Sequence, residues 1–264
     1  RVDHPNILKF ITCKEKEGDF NNFNISVSLT DNFMKAMDEK RSFKLVNPKT
    51  EKFVGELKAE DVFQKLCEMI HRNGEPGVLF IDRINYYHPM KELGEIEGVN
   101  PCGESPLLPW ESCNLGSINL SKFIKNGEID YDSLKKVVYL SINFLDNVID
   151  LNKYPLPKIE EATKLTRKIG LGIMSWADML IKLNIPYNSN RALKLADEIM
   201  KFIHGAAIEA STELARIRGV FPAWEKSTWA KKEIKLRNAT LTTIAPTGSL
   251  SIIAGVSSGI EPIF

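Results

Sequence analysis

The sequence predicts an α/β fold, and three observations carry that prediction. Long segments repeat apolar residues with a helical period, short segments rich in β-branched or aromatic residues lie between them, and glycines stand where helices should stop. In chain order, residues 23–29 predict a strand and Asp31–Asp38 a short helix, with residues 47–58 a surface excursion. Residues 61–72 predict a helix with Val62, Leu66, Met69 and Ile70 on one face and Gly74 as its stop. A strand follows over residues 77–82, ending in polar side chains. Residues 132–150 repeat Leu134, Val137, Val138, Leu145, Val148 and Ile149 at helical spacing. Residues 158–183 predict a further helix, broken around Gly170 and Gly172. The longest helix is Asn190–Arg218, with Leu195, Ile199, Ile203, Ala207, Ala210, Leu214 and Ile217 in line and Gly219 as terminator. Residues 239–245 predict a last strand, running into a helix start capped by Thr247 or Ser249.

Composition sets the limits. The chain has 264 residues, 43% hydrophobic and 26% charged, and no linker divides it, so residues 1–264 read as a single segment. With 35 Lys+Arg against 34 Asp+Glu, nothing in the charge balance argues for binding DNA or RNA or for a polybasic membrane tether. The uncharged stretch between Arg237 and Glu261 is interrupted by Pro246, Gly248, Gly255 and Gly259, which makes it buried strand and turn and no membrane span. Four cysteines without a short-spaced pair, and no secretory leader, predict a reducing, cytoplasmic setting. His4, His71, His88 and His204 share no ligand spacing, so no protein-held metal is expected. The chain begins at Arg1 and stops inside an apolar phrase, Gly259-Ile260-Glu261-Pro262-Ile263-Phe264, which predicts an internal segment of something longer.

The densest chemistry lies in residues 100–115. Pro101, Pro106 and Pro109 with Gly103 forbid a regular helix or central strand, so this is a stiff loop able to hold a reactive side chain in place. Asn100, Cys102 and Glu104 are spaced by two, so an extended backbone turns all three the same way. An amide, a thiol and a carboxylate on one point supply hydrogen bonding, sulfur chemistry and proton transfer to one small substrate. By themselves Cys102 and Cys113 also fit buried small hydrophobes. The second feature, Pro246-Thr247-Gly248-Ser249-Leu250, fits a phosphate site made of backbone N–H groups at a helix start, or an ordinary capped helix. It lacks the Gly-Lys-Ser/Thr tail of a P-loop. Gly255-Val256-Ser257-Ser258-Gly259 matches the letters of a hydrolase elbow, but Pro262 argues against the helix that motif needs. Two readings remain open on these residues: a non-catalytic nucleotide- or phosphate-binding module, and a thiol oxidoreductase pairing Cys102 with Cys113.

Further phrases fall in a fixed order along the chain: Asp3-His4-Pro5, Asn24-Ile25-Ser26-Val27, Phe80-Ile81-Asp82-Arg83-Ile84-Asn85, Asn100-Pro101-Cys102-Gly103-Glu104, Ser112-Cys113-Asn114-Leu115-Gly116-Ser117-Ile118-Asn119-Leu120, Ala245-Pro246-Thr247-Gly248 and Ser258-Gly259-Ile260-Glu261-Pro262. Together they resemble the large catalytic chain of ribonucleotide reductases, most closely the adenosylcobalamin-dependent class.

The resemblance implies part of a ten-stranded α/β barrel, with Cys102 at the tip of a central finger loop. Cys102 would become a thiyl radical that takes the 3′ hydrogen of the substrate ribose. Glu104 would act as base toward the 3′ hydroxyl, and Asn100 would bind the ribose hydroxyls. Cys113 would be half of a redox pair delivering two electrons as the 2′ hydroxyl leaves as water. Thr247, Gly248, Ser249 and Leu250 would hold the substrate phosphates through backbone amides. The implied cofactor is adenosylcobalamin, with a diiron subunit as the alternative radical source. The implied partners are a ribonucleoside di- or triphosphate, thioredoxin or glutaredoxin as reductant, and a second copy in a homodimer. The activity would serve DNA synthesis and repair, and the segment alone is expected to be inactive. Neither Cys13 nor Cys67 sits in the context of the second redox cysteine, so that role is unassigned.

Overall fold

The computed structural model describes residues 1–16 and 18–263 and divides into two compact units, Arg1–His88 and Pro89–Phe264. Both mix helices and strands, as the α/β prediction requires. Among the described residues the strands pair two by two. No helix among them is long and apolar enough to cross a membrane.

In the first unit, α1 (Ile7–Ile11) precedes β1 (Ser26–Leu29), α2 (Asp31–Asp38), β2 (Ser42–Val46), β3 (Phe53–Lys58), α3 (Ala59–Asn73), β4 (Gly77–Phe80) and α4 (Ile81–Tyr87). β1 and β4 are parallel, with Ser26 opposite Gly77 and Leu29 opposite Phe80. α2 starts where Thr30 accepts from the Phe33 N–H at 3.1 Å. α3 stops where Gly74 takes φ 82° and donates to the Ile70 carbonyl. Its buried stripe is Ala59, Val62, Leu66 and Met69; Ile70 lies off it, partly exposed. Residues 47–58 are no mere excursion, since β3 pairs antiparallel with β2 and Phe43 meets Phe33 edge to face at 5.0 Å. The strand predicted over 23–29 starts only at Ser26, and the one over 77–82 ends at Phe80, where Ile81 turns the chain into α4.

The second unit holds the short hairpin β5 (Gly98–Val99) and β6 (Pro106–Leu107), then β7 (Leu115–Asn119), β8 (Ile124–Lys125) and β9 (Glu128–Ile129). After these come α5 (Tyr131–Leu151), α6 (Pro157–Thr166), β10 (Gly170–Met174), α7 (Trp176–Lys182), α8 (Asn190–Arg218), α9 (Thr228–Lys231) and α10 (Gly248–Ala254). α5 buries Leu134, Val138, Ile142, Leu145 and Ile149 at spacings of three and four and packs against α8. Each such side chain contributes about 1.5–3 kcal/mol by leaving water. α8 has the predicted bounds, although Ile217 at its end is 70% exposed and outside the apolar line.

The predicted helix over 158–183 is corrected most. Gly170 and Gly172 are not a break in a helix but part of the fully buried strand β10, which runs parallel to β7 with Gly172 opposite Ser117. A Cβ on Gly170 would lie 2.6 Å from a Leu115 methyl carbon, and one on Gly172 would lie 3.0 Å from the Thr243 carbonyl. The glycines are there because other chain segments approach closely, which has no local sequence signal. Residues 239–245 run alongside β10 without forming a full strand. Leu171 donates to the Leu241 carbonyl at 2.7 Å and accepts from Thr243 N–H at 3.1 Å, around a single parallel bridge to Thr242.

Candidate active site

The β5–β6 hairpin carries Cys102 and Glu104 on a closed turn. Asn100 makes it: its Oδ1 accepts from Ser105 N–H at 2.9 Å, its carbonyl accepts from Gly103 N–H at 3.0 Å, and its N–H donates to the Ser105 carbonyl. Gly103 has φ 91°, a value that favours glycine. The extended Asn100–Glu104 backbone expected from the spacing is therefore replaced by a turn, because the short Asn side chain closes it onto the backbone. Cys102 is exposed on this turn. With Asn100 Oδ1 committed to Ser105, hydrogen bonding to a ligand falls to its Nδ2 group.

Glu104 is fixed from outside the hairpin. Its carbonyl accepts from Thr243 Oγ1 at 2.9 Å. Its carboxylate Oε2 is buried and receives no hydrogen bond. A buried acceptor without a donor is costly, and a ligand hydroxyl is a donor of the right kind.

Cys113, just ahead of β7, lines the same small cleft as Glu104, Ser105, Lys168, Thr242 and Thr243, a space of about 90 Å³. Its thiol donates to Ser105 Oγ at 3.3 Å. Burial pushes this thiol's pKa up, the Ser105 bond opposes that, and Glu104 and Cys102 nearby add to the rise. Glu104 and Cys113 thus line one cleft between the hairpin, the entry to β7 and the 239–245 segment, while Cys102 stands exposed on the hairpin turn, close enough to act electrostatically on Cys113. Both thiols are free.

The other predicted site begins four residues after Thr243. Thr247 sits at the position before α10 with φ 58°, but neither it nor Ser249 caps the helix by a side-chain bond. Thr247 Oγ1 instead accepts from Gly259 N–H at 2.7 Å, tying the turn to the returning chain. The first helical bond runs from Ser251 N–H to the Thr247 carbonyl at 2.8 Å, so the N–H groups of Gly248, Ser249 and Leu250 precede it on an exposed end. Ser257, the hydrolase-elbow match, gives its N–H and hydroxyl to Asp178 Oδ2 at 2.8 and 2.7 Å, and no helix follows it among the described residues.

Three residues escaped the sequence reading: Lys168 and Thr243, which line the cleft, and Glu111, which pairs with Lys168. Glu111 and Lys168 form an ion pair at 2.6 Å with side chains only 2% and 6% exposed. No local signal marks the pair, because its members are 57 residues apart.

A sequence profile described as "Ribonucleotide reductase, barrel domain" matches residues 1–236. The chain belongs to this ribonucleotide reductase family. Over 264 residues it is 52% identical to a vitamin B12-dependent ribonucleoside-diphosphate reductase of Thermoplasma acidophilum, covering 99% of this chain and 34% of that protein. A vitamin B12-dependent ribonucleoside-diphosphate reductase of Mycobacterium tuberculosis is 47% identical over all of this chain and 38% of its own length. The alpha subunit of a Chlamydia pneumoniae ribonucleoside-diphosphate reductase is 33% identical over 79% of this chain and 24% of its own. This ribonucleotide reductase segment therefore spans about a third of the length of the B12-dependent relatives. The hairpin, β7 and β10 all lie within the profile match, whereas the Thr247–Leu250 turn lies beyond it.

Proposed function

We propose that this chain is a catalytic segment of an adenosylcobalamin-dependent ribonucleotide reductase, reducing ribonucleotides to 2′-deoxyribonucleotides for DNA synthesis and repair. The observation that carries the reading is the cleft in which the buried, unbonded Glu104 Oε2 meets Cys113, on the hairpin that exposes Cys102. In the whole enzyme this hairpin is the finger loop of a ten-stranded barrel.

The residue types suit the reaction. The ribose C–H bond is too strong for acid–base chemistry, so a sulfur radical on Cys102 takes the 3′ hydrogen atom and later returns it. Glu104 Oε2 accepts the 3′ hydroxyl proton, which promotes loss of the 2′ oxygen as water. Asn100 Nδ2 donates to the ribose hydroxyls and holds the ring. Cys113 and a partner thiol are oxidised to a disulfide as the sugar gains two electrons. The exposed N–H groups of Gly248, Ser249 and Leu250, at the turn made by Thr247, hold the phosphates.

Adenosylcobalamin fits the chain at one point, the exposed Cys102 thiol, which is an accessible hydrogen-atom donor. When bound, it supplies the radical that Cys102 receives. No residue of this chain is assigned to the corrin. The proposed substrate is a ribonucleoside diphosphate, the class printed in the names of the relatives. Thioredoxin or glutaredoxin returns the electrons, the whole enzyme is a homodimer, and its place is the cytoplasm.

The test uses the full-length protein with adenosylcobalamin, a ribonucleoside diphosphate and dithiothreitol. Cys102→Ser abolishes turnover. Cys113→Ser permits substrate-dependent radical chemistry but stops repeated turnover. Repeated turnover in either variant overturns the assigned role.

A further inference from the structure

Glu111 lies two residues before Cys113, on the stretch that joins the finger hairpin to β7. Its carboxylate is a knot. Oε2 accepts from Leu108 N–H at 2.7 Å and from Lys168 Nζ at 2.6 Å, and Oε1 accepts from Thr166 Oγ1 at 2.6 Å. Thr166 and Lys168 flank the turn between α6 and β10, so Glu111 fastens the Cys113 stretch to the entry of β10. Ser112 adds a hydroxyl contact to Thr163 at 2.9 Å.

A buried ion pair is weak evidence for stability, because an apolar pair of equal volume often holds a fold as well. Its place argues for another role. Lys168 lines the cleft beside Cys113, and that thiol already faces an acid, Glu104, and a second thiol, Cys102. An uncompensated carboxylate at position 111 would add a negative charge two residues from a thiol that must ionise to exchange disulfides, behind a lysine that lines the thiol's cleft.

We propose that Lys168 is a positioning residue for Cys113, acting through Glu111: its ammonium keeps the carboxylate that clamps the Cys113 stretch electrically neutral toward the redox thiol. The inference rests on the reading of Cys113 as a redox cysteine. Glu111 and Lys168 take no part in bond making. They let one loop be clamped by a carboxylate without that carboxylate suppressing the thiolate beside it.

The charged and titratable groups around Cys113 are Glu104 and Cys102 on the hairpin and the Glu111–Lys168 pair. The 239–245 segment contributes only threonine hydroxyls, and His204 of α8, bonded to Thr242 Oγ1 at 3.0 Å, is uncharged at alkaline pH because burial lowers its pKa. Within the pair, burial lowers the pKa of Lys168 and Glu111 opposes that, so variant and parent profiles are compared from the neutral end of the range upward.

The experiment is alkylation of Cys113 by iodoacetamide in the full-length protein, without turnover, followed by peptide mass mapping from neutral to alkaline pH. Cys67, exposed on α3 of the other unit, is the internal reference for reagent and fold. Lys168→Met removes the ammonium and keeps the Glu111 carboxyl group held by Leu108 N–H and the Thr166 hydroxyl. The Cys113 midpoint then rises by about one pH unit, the size expected of one added charge across such a cleft. Lys168→Met/Glu111→Gln, in which both charges are gone, returns it to the parent value. An unchanged profile in the single variant, or a double variant as displaced as the single, overturns the proposal. The outcome is separate from that of Cys113→Ser turnover, which tests the redox role itself.

Discussion

Thr243 Oγ1 donates to the main-chain carbonyl of Glu104 at 2.9 Å, across 139 residues of sequence. The same threonine gives its N–H to Leu171 in the buried strand β10. The β5–β6 hairpin is thereby fastened to the buried strand β10 at the residue proposed as the base. Thr243→Val keeps the shape and removes the hydroxyl donor. It is expected to cost about 1 kcal/mol of stability and to lower kcat about ten- to a hundredfold through misplacement of Glu104. Thr243→Ser retains the donor and most of the rate. Steady-state kinetics of the two variants check this, and equal losses in both count against the hydroxyl.

Asp146 is fully buried and serves several partners. Arg167 reaches its Oδ1 at 2.7 and 2.9 Å, Asn238 reaches the same oxygen at 3.0 Å, and Arg218 and Arg237 reach Oδ2 at 3.0 and 3.4 Å. Removing the carboxylate leaves these guanidinium groups close together without it. Asp146→Ala is expected to cost about 3–5 kcal/mol, the usual loss when one side of a buried ion pair is deleted. Denaturant unfolding measures it, and a loss below about 1 kcal/mol contradicts the network's importance.

Gly172 is packed on its Cα side by the Thr243 carbonyl, Ser117 Oγ and the Ala245 N–H, which an added Cβ would meet at 3.0, 3.4 and 3.6 Å. Gly172→Ala must push residues 243–245 away from β10. An overpacking cost of about 1–3 kcal/mol is expected. Because the shift also loosens the Thr243–Glu104 bond, Gly172→Ala and Thr243→Val combined should lose less than the sum of the two. A double-mutant cycle in urea shows whether they do.

His204 is exposed on α8 with a ring nitrogen bonded to Thr242 Oγ1, and partial desolvation lowers its pKa from 6.5. The unfolded chain therefore takes up a proton at a higher pH than the folded one. The stability this contributes is complete above pH 6.5 and is lost as pH falls through the folded-state pKa. His204→Asn keeps a side chain able to bond Thr242 but cannot titrate. Its Tm should fall less than the parent's between neutral and mildly acidic pH, as thermal melts would report. Parallel curves would rule the effect out.

The sequence by itself determined the parts whose cause is local. α8 follows from its apolar period and Gly219, α3 from its stripe and Gly74, and the stiff loop over residues 100–115 from its clustered Pro and Gly, although its closure into a turn does not. The chemistry-bearing types Asn100, Cys102, Glu104 and Cys113 were legible for the same reason, being a dense and ordered phrase. Only the tertiary structure decided that residues 170–174 are a strand, since their glycines answer to Leu115 and Thr243 and not to their neighbours in sequence. It also decided that Thr243 holds Glu104 and that Lys168 balances Glu111, contacts spanning 139 and 57 residues. A periodicity or a cap is written within a few residues. A hydrogen bond or ion pair between distant segments exists only once the chain has closed around it, so the residues that position this site are identified by the fold alone.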